Sequence, residues 1–189
     1  MSTTRPIRVL GIAGSLRQSS YNKAALRAAR ELLPNGATLE IADLDGLPLF
    51  NEENERALPP RVVELKARIR EADAILIATP EYNYSVPGVL KNAIDWASRP
   101  SGDNAWDGKP VALMGASPGP QGTARAQYHL RQTFVFLNMY PVNQPEVMIS
   151  NAAQRFDAQG QLVDEGMRAR IRQLLEALVT WTRRLGKAS

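Results

Sequence analysis

The chain contains no cysteine. That absence excludes disulfides, thiolate nucleophiles and cysteine-based zinc or iron–sulfur centres, so any redox chemistry must come from a bound cofactor. It also fits a reducing compartment. There is one histidine, His129. It falls inside a helical stretch, away from the loop end, where packing or solvation is the expected role and catalysis is not. Long hydrophobic runs are missing too: AILIATP and its like fall far short of the ~20 residues a membrane helix needs. The N-terminal MSTTRPIRVL has no signal-peptide pattern, so a cytoplasmic protein without membrane association is expected. Charge of one sign does not dominate, since 23 Lys+Arg oppose 19 Asp+Glu. Arginines gather near the C-terminus (Arg168, Arg170, Arg172, Arg183, Arg184), but no basic run is interleaved with stacking aromatics. A solvated helix face is therefore expected there, not a nucleic-acid surface. Repeats, low-complexity tracts and an interdomain linker are also absent. With 189 residues and 44% hydrophobic composition, one well-packed domain spanning 1–189 is expected.

What is present is an alternation of short apolar runs with segments of helical spacing, the signature of a layered α/β domain with a parallel sheet. Strands are expected at Ile7–Gly14, Ala37–Leu44, Asp73–Pro80, Pro110–Ser117 and, more weakly, Pro145–Ser150. The first, third and fourth are nearly continuous apolar runs, as suits strands covered on both faces. The second alternates and the fifth begins with proline, which suits sheet edges. Helical stripes follow: Ala24, Ala25, Ala28, Ala29, Leu32 and Leu33; Val62, Leu65, Ile69 and Ala72; Leu90, Ile94 and Ala97; Ala126, Leu130, Phe134 and Leu137; and Met167, Ile171, Leu174, Leu178 and Leu185. Ser85 is placed to cap the third helix, with Pro87 in its first turn. Five such units predict a doubly wound, three-layer sandwich with strand order 2-1-3-4-5. Leu44 to Pro60 is the longest irregular segment and is expected to be a surface loop.

In such a sheet ligands bind beyond the carboxyl ends of the strands, where the chain order reverses. The turn after the first strand, GSLRQSSYN, lies there and opens a helix whose unpaired N–H groups favour an anion. Ser15, Ser20 and Asn22 add donors, and Arg17 adds a fork suited to phosphate oxygens. A P-loop is excluded because the turn lacks lysine followed by Ser or Thr, and a dinucleotide loop because the glycine spacing is wrong. A metal-free phosphate site and a plain helix cap both fit the turn taken alone. After the third strand, PEYNYSVPG brings two tyrosines beside amide-bearing residues, a setting for a flat heteroaromatic ring. After the fourth, ASPGPQG supplies a third flexible turn. A phosphate site joined to a planar-ring site describes FMN better than free phosphate.

At these residues the chain resembles the NADPH-dependent FMN reductases, including the chromate and quinone reductases, of the flavodoxin-like superfamily. GSLRQSSYN together with PEYNYSVPGVLKNAIDW is a specific pair. The resemblance implies a flavodoxin-like fold in which Ser15, Arg17, Ser20 and Asn22 hold the FMN phosphate. It further implies that Glu81, Tyr82, Asn83 and Tyr84 border the ribityl chain and ring, with Ser117, Pro118 and Gly119 on the other side. Leu16, Tyr21 and Pro80 complete the expected cofactor set. Arg125 is expected to meet the NADPH phosphate or an anionic acceptor, with a surface ion pair or subunit contact as the alternative. The flavin carries the chemistry, so no catalytic side chain and no metal are required. NADPH, or NADH, would donate the hydride, and a quinone, azo compound, free flavin or chromate would accept it. A homodimer or homotetramer is implied, with Arg125, Tyr128 and Glu146 as an intersubunit polar cluster. Ser19 and Pro120 stand where family members often have glycine, which affects the phosphate turn and ring-side hydrogen bonding. Trp96 and Trp106 are candidates to cover the cleft, pack at an interface or, for Trp96 above all, fill the core. Two other readings are a flavodoxin-type electron carrier and a flavin-free nucleotide or nucleic-acid binding module.

Overall fold

The apolar runs pair side by side because each is too short and too continuous to hide its backbone polar groups except in a ladder covered on both faces. A computed structural model describes residues 5–186. The expected domain limits, 1–189, run past it, and residues 1–4 and 187–189 lie outside the described residues. The strands are β1 (Ile7–Ala13), β2 (Ala37–Ala42), β3 (Ala74–Ala78), β4 (Pro110–Ala116), β5 (Tyr140–Pro141) and β6 (Val147–Ile149). All pairings are parallel, in the order β2-β1-β3-β4-β5, with β6 also paired to β4. Every residue of β3 and β4 is buried. The expected order is therefore present, with one correction at the fifth position. That strand is two short pieces, not a single run from Pro145 to Ser150. Pro141 and Pro145 each lack an N–H donor, and the pairing to β4 breaks between them.

Helices α1 (Tyr21–Glu31) and α5 (Glu165–Gly186) cover one face, burying Ala24, Ala25, Ala28, Leu174 and Leu178 with Val9, Leu76 and Met114. On the other face α2 (Pro60–Glu71), α3 (Gly88–Ala97) and α4 (Ala124–Leu137) bury Leu65, Ile69, Leu90, Ile94, Leu130 and Phe134 with Leu10, Ile12, Ile75 and Leu113. Each large side chain moved out of water in this way contributes about 1.5–3 kcal/mol before chain entropy is set against it. Trp96 and Trp106 belong to this second layer and are essentially unexposed. Their indole N–H groups donate to the carbonyls of Pro48 and Ile94, so neither covers the cleft or lies at a surface. Through Trp96 and Asn92, which donates to the same Pro48 carbonyl, α3 holds the long loop after β2 in place. Inside that loop Glu52–Arg56 forms a 3-10 turn.

The third helix corrects another expectation. It starts at Gly88 after Pro87, and Ser85 does not cap it. The backbone of Ser85 instead pairs in both directions with Tyr82, and its hydroxyl lies 3.0 Å from His129 Nδ1.

Candidate functional site

Three turns meet above the carboxyl ends of β1, β3 and β4, at the place where the chain order reverses. They enclose a cleft of about 340 Å³ lined by Ser15, Arg17, Ser20, Tyr21, Asn22, Pro80, Tyr82, Ala116 and Pro118. Larger clefts exist, of about 640 Å³ at the opposite strand ends and about 480 Å³ beside β5. In the first of these several of the charges are engaged within the fold. Asp73 pairs with Arg5, and Lys109 donates to the carbonyls of Arg70 and Ala72 at the end of α2.

The first turn is built for an anion. Ser20 caps α1, its Oγ accepting from the N–H groups of Asn22 and Lys23. Ser15 Oγ accepts from Arg17 N–H at 3.4 Å. Both serines are buried, and both keep a hydroxyl proton to donate. Among the described residues, the backbone N–H groups of Leu16, Gln18 and Ser19 have no intramolecular acceptor. Arg17 is exposed, with Nη2 on the Ser19 carbonyl at 2.8 Å and its guanidinium 5.4 Å from the Tyr21 ring. Unpaired donors, two hydroxyls, a guanidinium and a helix N-terminus together suit a dianionic phosphate. The helix-cap reading of Ser20 and the anion reading of the turn are thus compatible: the serine uses its lone pairs for the cap and its proton remains.

Asn22 lines the cleft and is at the same time tied into the fold. Its buried side chain donates to the Ala116 carbonyl and accepts from the Ala116 N–H, both at 2.9 Å. It extends the ladder of β4 sideways and pins the start of α1 to the end of that strand.

The second turn divides its residues. Pro80 and Tyr82 face the cleft. Glu81 turns away, its side chain 7% exposed. Its carboxylate accepts from the N–H groups of Arg125 at 2.9 Å and Ala126 at 3.1 Å, and from Arg125 Nη1 at 2.6 Å. The reason lies in α4: the preceding Thr123 makes no side-chain cap. Its hydroxyl is buried and accepts from Gln127 instead. Burial by itself raises the Glu81 pKa, but the bonds from the Arg125 guanidinium and the two backbone N–H groups outweigh it and leave the carboxyl below its usual range. Asn83 and Tyr84 form the tip of a tight turn with φ of 50° and 65°, and neither lines the cleft. Arg125 is occupied by Glu81 and by the Tyr84 ring, 3.7 Å from its guanidinium; it does not line the cleft either. Tyr128 bonds Glu146 within the chain at 3.1 Å.

The third turn places Pro118 at the cleft. Ser117 and Gly119 stand behind it, the serine Oγ accepting from the Gly119 N–H at 3.2 Å. Their backbones are tied to Ile149, Asn151 and Ala152. Leu16 is exposed at the rim. Two contributors escape a motif-based reading. Ala116 lines the cleft and receives Asn22, and Gly115 allows β4 to pass under α4. A Cβ at Gly115 would stand 2.1 Å from Thr123 Oγ1 and 2.3 Å from the Thr79 carbonyl. A lone glycine inside the apolar run PVALMGAS was the available signal.

A doubly wound sheet with a donor-rich turn and an aromatic-walled cleft at the switch point defines a flavodoxin-like fold. The profile of the NADPH-dependent FMN reductases matches residues 7–154. An NAD(P)H-dependent FMN reductase of Pseudomonas aeruginosa is 59% identical over 180 residues, 95% of this chain and 97% of that protein. A 2-hydroxy-1,4-benzoquinone reductase of a Burkholderia species is 41% identical over 177 residues, 94% of this chain and 97% of the relative. The solved structure of FerB, a flavoenzyme NAD(P)H:(acceptor) oxidoreductase from Paracoccus denitrificans, superposes with a TM-score of 0.86 at 36% identity, covering 94% of this chain and 98% of that one. The chain belongs to the NADPH-dependent FMN reductase family and is an oxidoreductase. Among the described residues no helix is long and apolar enough to cross a membrane.

Proposed function

We propose that this protein is an FMN-dependent NAD(P)H:quinone oxidoreductase whose cofactor sits in the cleft between the first, third and fourth strand ends. The observation that carries the reading is the unpaired donor set of the first turn, Leu16, Gln18 and Ser19 N–H with the Ser15 and Ser20 hydroxyls and Arg17, opening on the space bordered by Tyr82 and Pro118. The residues present fit the group: the first turn would hold its phosphate, and Tyr82 and the loop after β4 would border its ring. FMN, when bound, supplies the hydride chemistry. The chain binds and orients it, and no side chain is asked to exchange a proton. Asn22 keeps the phosphate turn in register with the ring side by its two bonds to Ala116. Tyr82, half exposed, leaves one side of the cleft open for the nicotinamide and then for the acceptor. A quinone is the acceptor class favoured by the names of the relatives; azo compounds, free flavin and chromate are secondary candidates. The proposal extends to a cytoplasmic, single-domain protein that assembles as a homodimer or homotetramer.

The test is a visible spectrum of the purified protein with FMN, followed by anaerobic NADPH and then a benzoquinone. Bleaching by NADPH with colour restored by the quinone is the expected result. Bound flavin that NADPH leaves oxidised identifies an electron carrier, and no flavin uptake overturns the cofactor reading.

A further inference from the structure

We infer that Glu81 and Arg125 are positioning residues, which hold Tyr82 in the cleft wall from outside the cleft; the inference rests on the FMN reading of that cleft. Tyr82 belongs to a four-residue turn closed by its two backbone bonds with Ser85, at 3.2 and 3.0 Å. Both central residues, Asn83 and Tyr84, have positive φ, the geometry of a type I′ turn. Glycine is the usual second residue there, and a tyrosine in the left-handed region is strained. Tyr84 is also 67% exposed, so burial does not hold it in that conformation.

The restraint comes from α4. The Arg125 guanidinium covers the Tyr84 ring at 3.7 Å while its Nη1 holds Glu81 at 2.6 Å. Glu81, next to Tyr82 in sequence, is fastened to the first turn of α4 through two backbone N–H groups. His129, one turn further along α4, meets Ser85 at the other end of the turn. The strained turn is thus gripped at both ends and at its tip by one helix. Neither the Glu81 carboxylate nor the Arg125 guanidinium lines the cleft. Neither group therefore acts on a bound flavin by contact, and Tyr82, the part of the turn that lines the cleft, is the route by which the pair reaches it.

The experiment is a double-mutant cycle. Dissociation constants for FMN are measured by fluorescence titration for wild type, Arg125→Ala, Tyr82→Ala and the double variant. Coupled neighbours commonly differ from additivity by 0.5–3 kcal/mol, so Arg125→Ala is expected to weaken FMN at least about fivefold alone and less than about twofold in the Tyr82→Ala background. Glu81→Gln, which keeps an oxygen for the α4 N–H groups, is expected to lose less than Glu81→Ala. Equal effects of Arg125→Ala in both backgrounds would overturn the inference. So would unchanged FMN affinity with a raised KM for NADPH and not for NADH, because that marks direct contact with the dinucleotide. A second readout needs no cofactor. Amide exchange at Tyr82 and Ser85 in the FMN-free protein should accelerate in Arg125→Ala and recover partly in Arg125→Lys, and unaltered protection refutes the clasp. If wild type takes up no FMN, the cofactor reading falls while the exchange data still decide the clasp.

Discussion

Replacing Asn22 by alanine separates a ligand from a latch. The side chain makes two bonds of 2.9 Å to the N–H and carbonyl of Ala116, and both residues are buried. Alanine would leave those two backbone groups without partners, and each orphaned buried group costs about 1–3 kcal/mol. Water reaching the vacated space from the adjoining cleft recovers part of this, so a loss of about 3 kcal/mol is expected. For a chain of this size that corresponds to a fall in melting temperature of about 6–12 °C. With a urea m-value of about 2–3 kcal/mol/M, the unfolding midpoint falls by roughly 1–1.5 M. The assay is urea unfolding followed by tryptophan fluorescence, without and with saturating FMN. Added FMN should raise the midpoint of the variant by less than it raises that of wild type, since a loosened α1 start weakens binding. An unchanged midpoint in the cofactor-free protein, combined with a large loss of FMN affinity, would refute the latch and return Asn22 to the role of phosphate ligand.

Arg17→Ala should weaken FMN retention in a dialysis titration by about tenfold while leaving the cofactor-free melting temperature within about 1 °C, because the side chain is exposed and a charge-assisted bond contributes about 1.5–3 kcal/mol. Unchanged retention would remove Arg17 from the phosphate site. Gly115→Ala drives a methyl group against the Thr79 carbonyl and Thr123; overpacking of that kind costs about 1–3 kcal/mol or more, read as a lowered urea midpoint, and wild-type stability would show the contact to be soft. On the acid side, Glu81 is held below its ordinary range. The native state therefore binds fewer protons than the unfolded chain there, so this contribution is present above the ordinary glutamate pKa and is lost as pH falls through the depressed value. Urea midpoints followed from pH 6 downwards should drop less steeply for Glu81→Gln than for wild type, and parallel curves would contradict the assignment.

The sequence alone determined the layers. Continuous apolar runs became the central strands β1, β3 and β4, the alternating run became the edge strand β2, and the helical stripes became two buried faces. Burial is a property of composition and period, so it is legible without coordinates. The donor-rich first turn was legible for a related reason, since its donors are neighbours in the chain. What tertiary structure decided were the partners of polar groups far apart in sequence. Asn22 meets Ala116 across 94 positions, and Glu81 meets Arg125 across 44. A carboxylate or an amide beside a ligand turn carries no sequence mark saying whether it faces the ligand or a neighbouring backbone. That choice depends on which helix end arrives without its own cap, and α4 arrives without one because Thr123 is turned inward to Gln127. The break in the fifth strand and the burial of Trp106 were settled in the same way, by where proline leaves the ladder without donors and where an indole N–H finds a carbonyl.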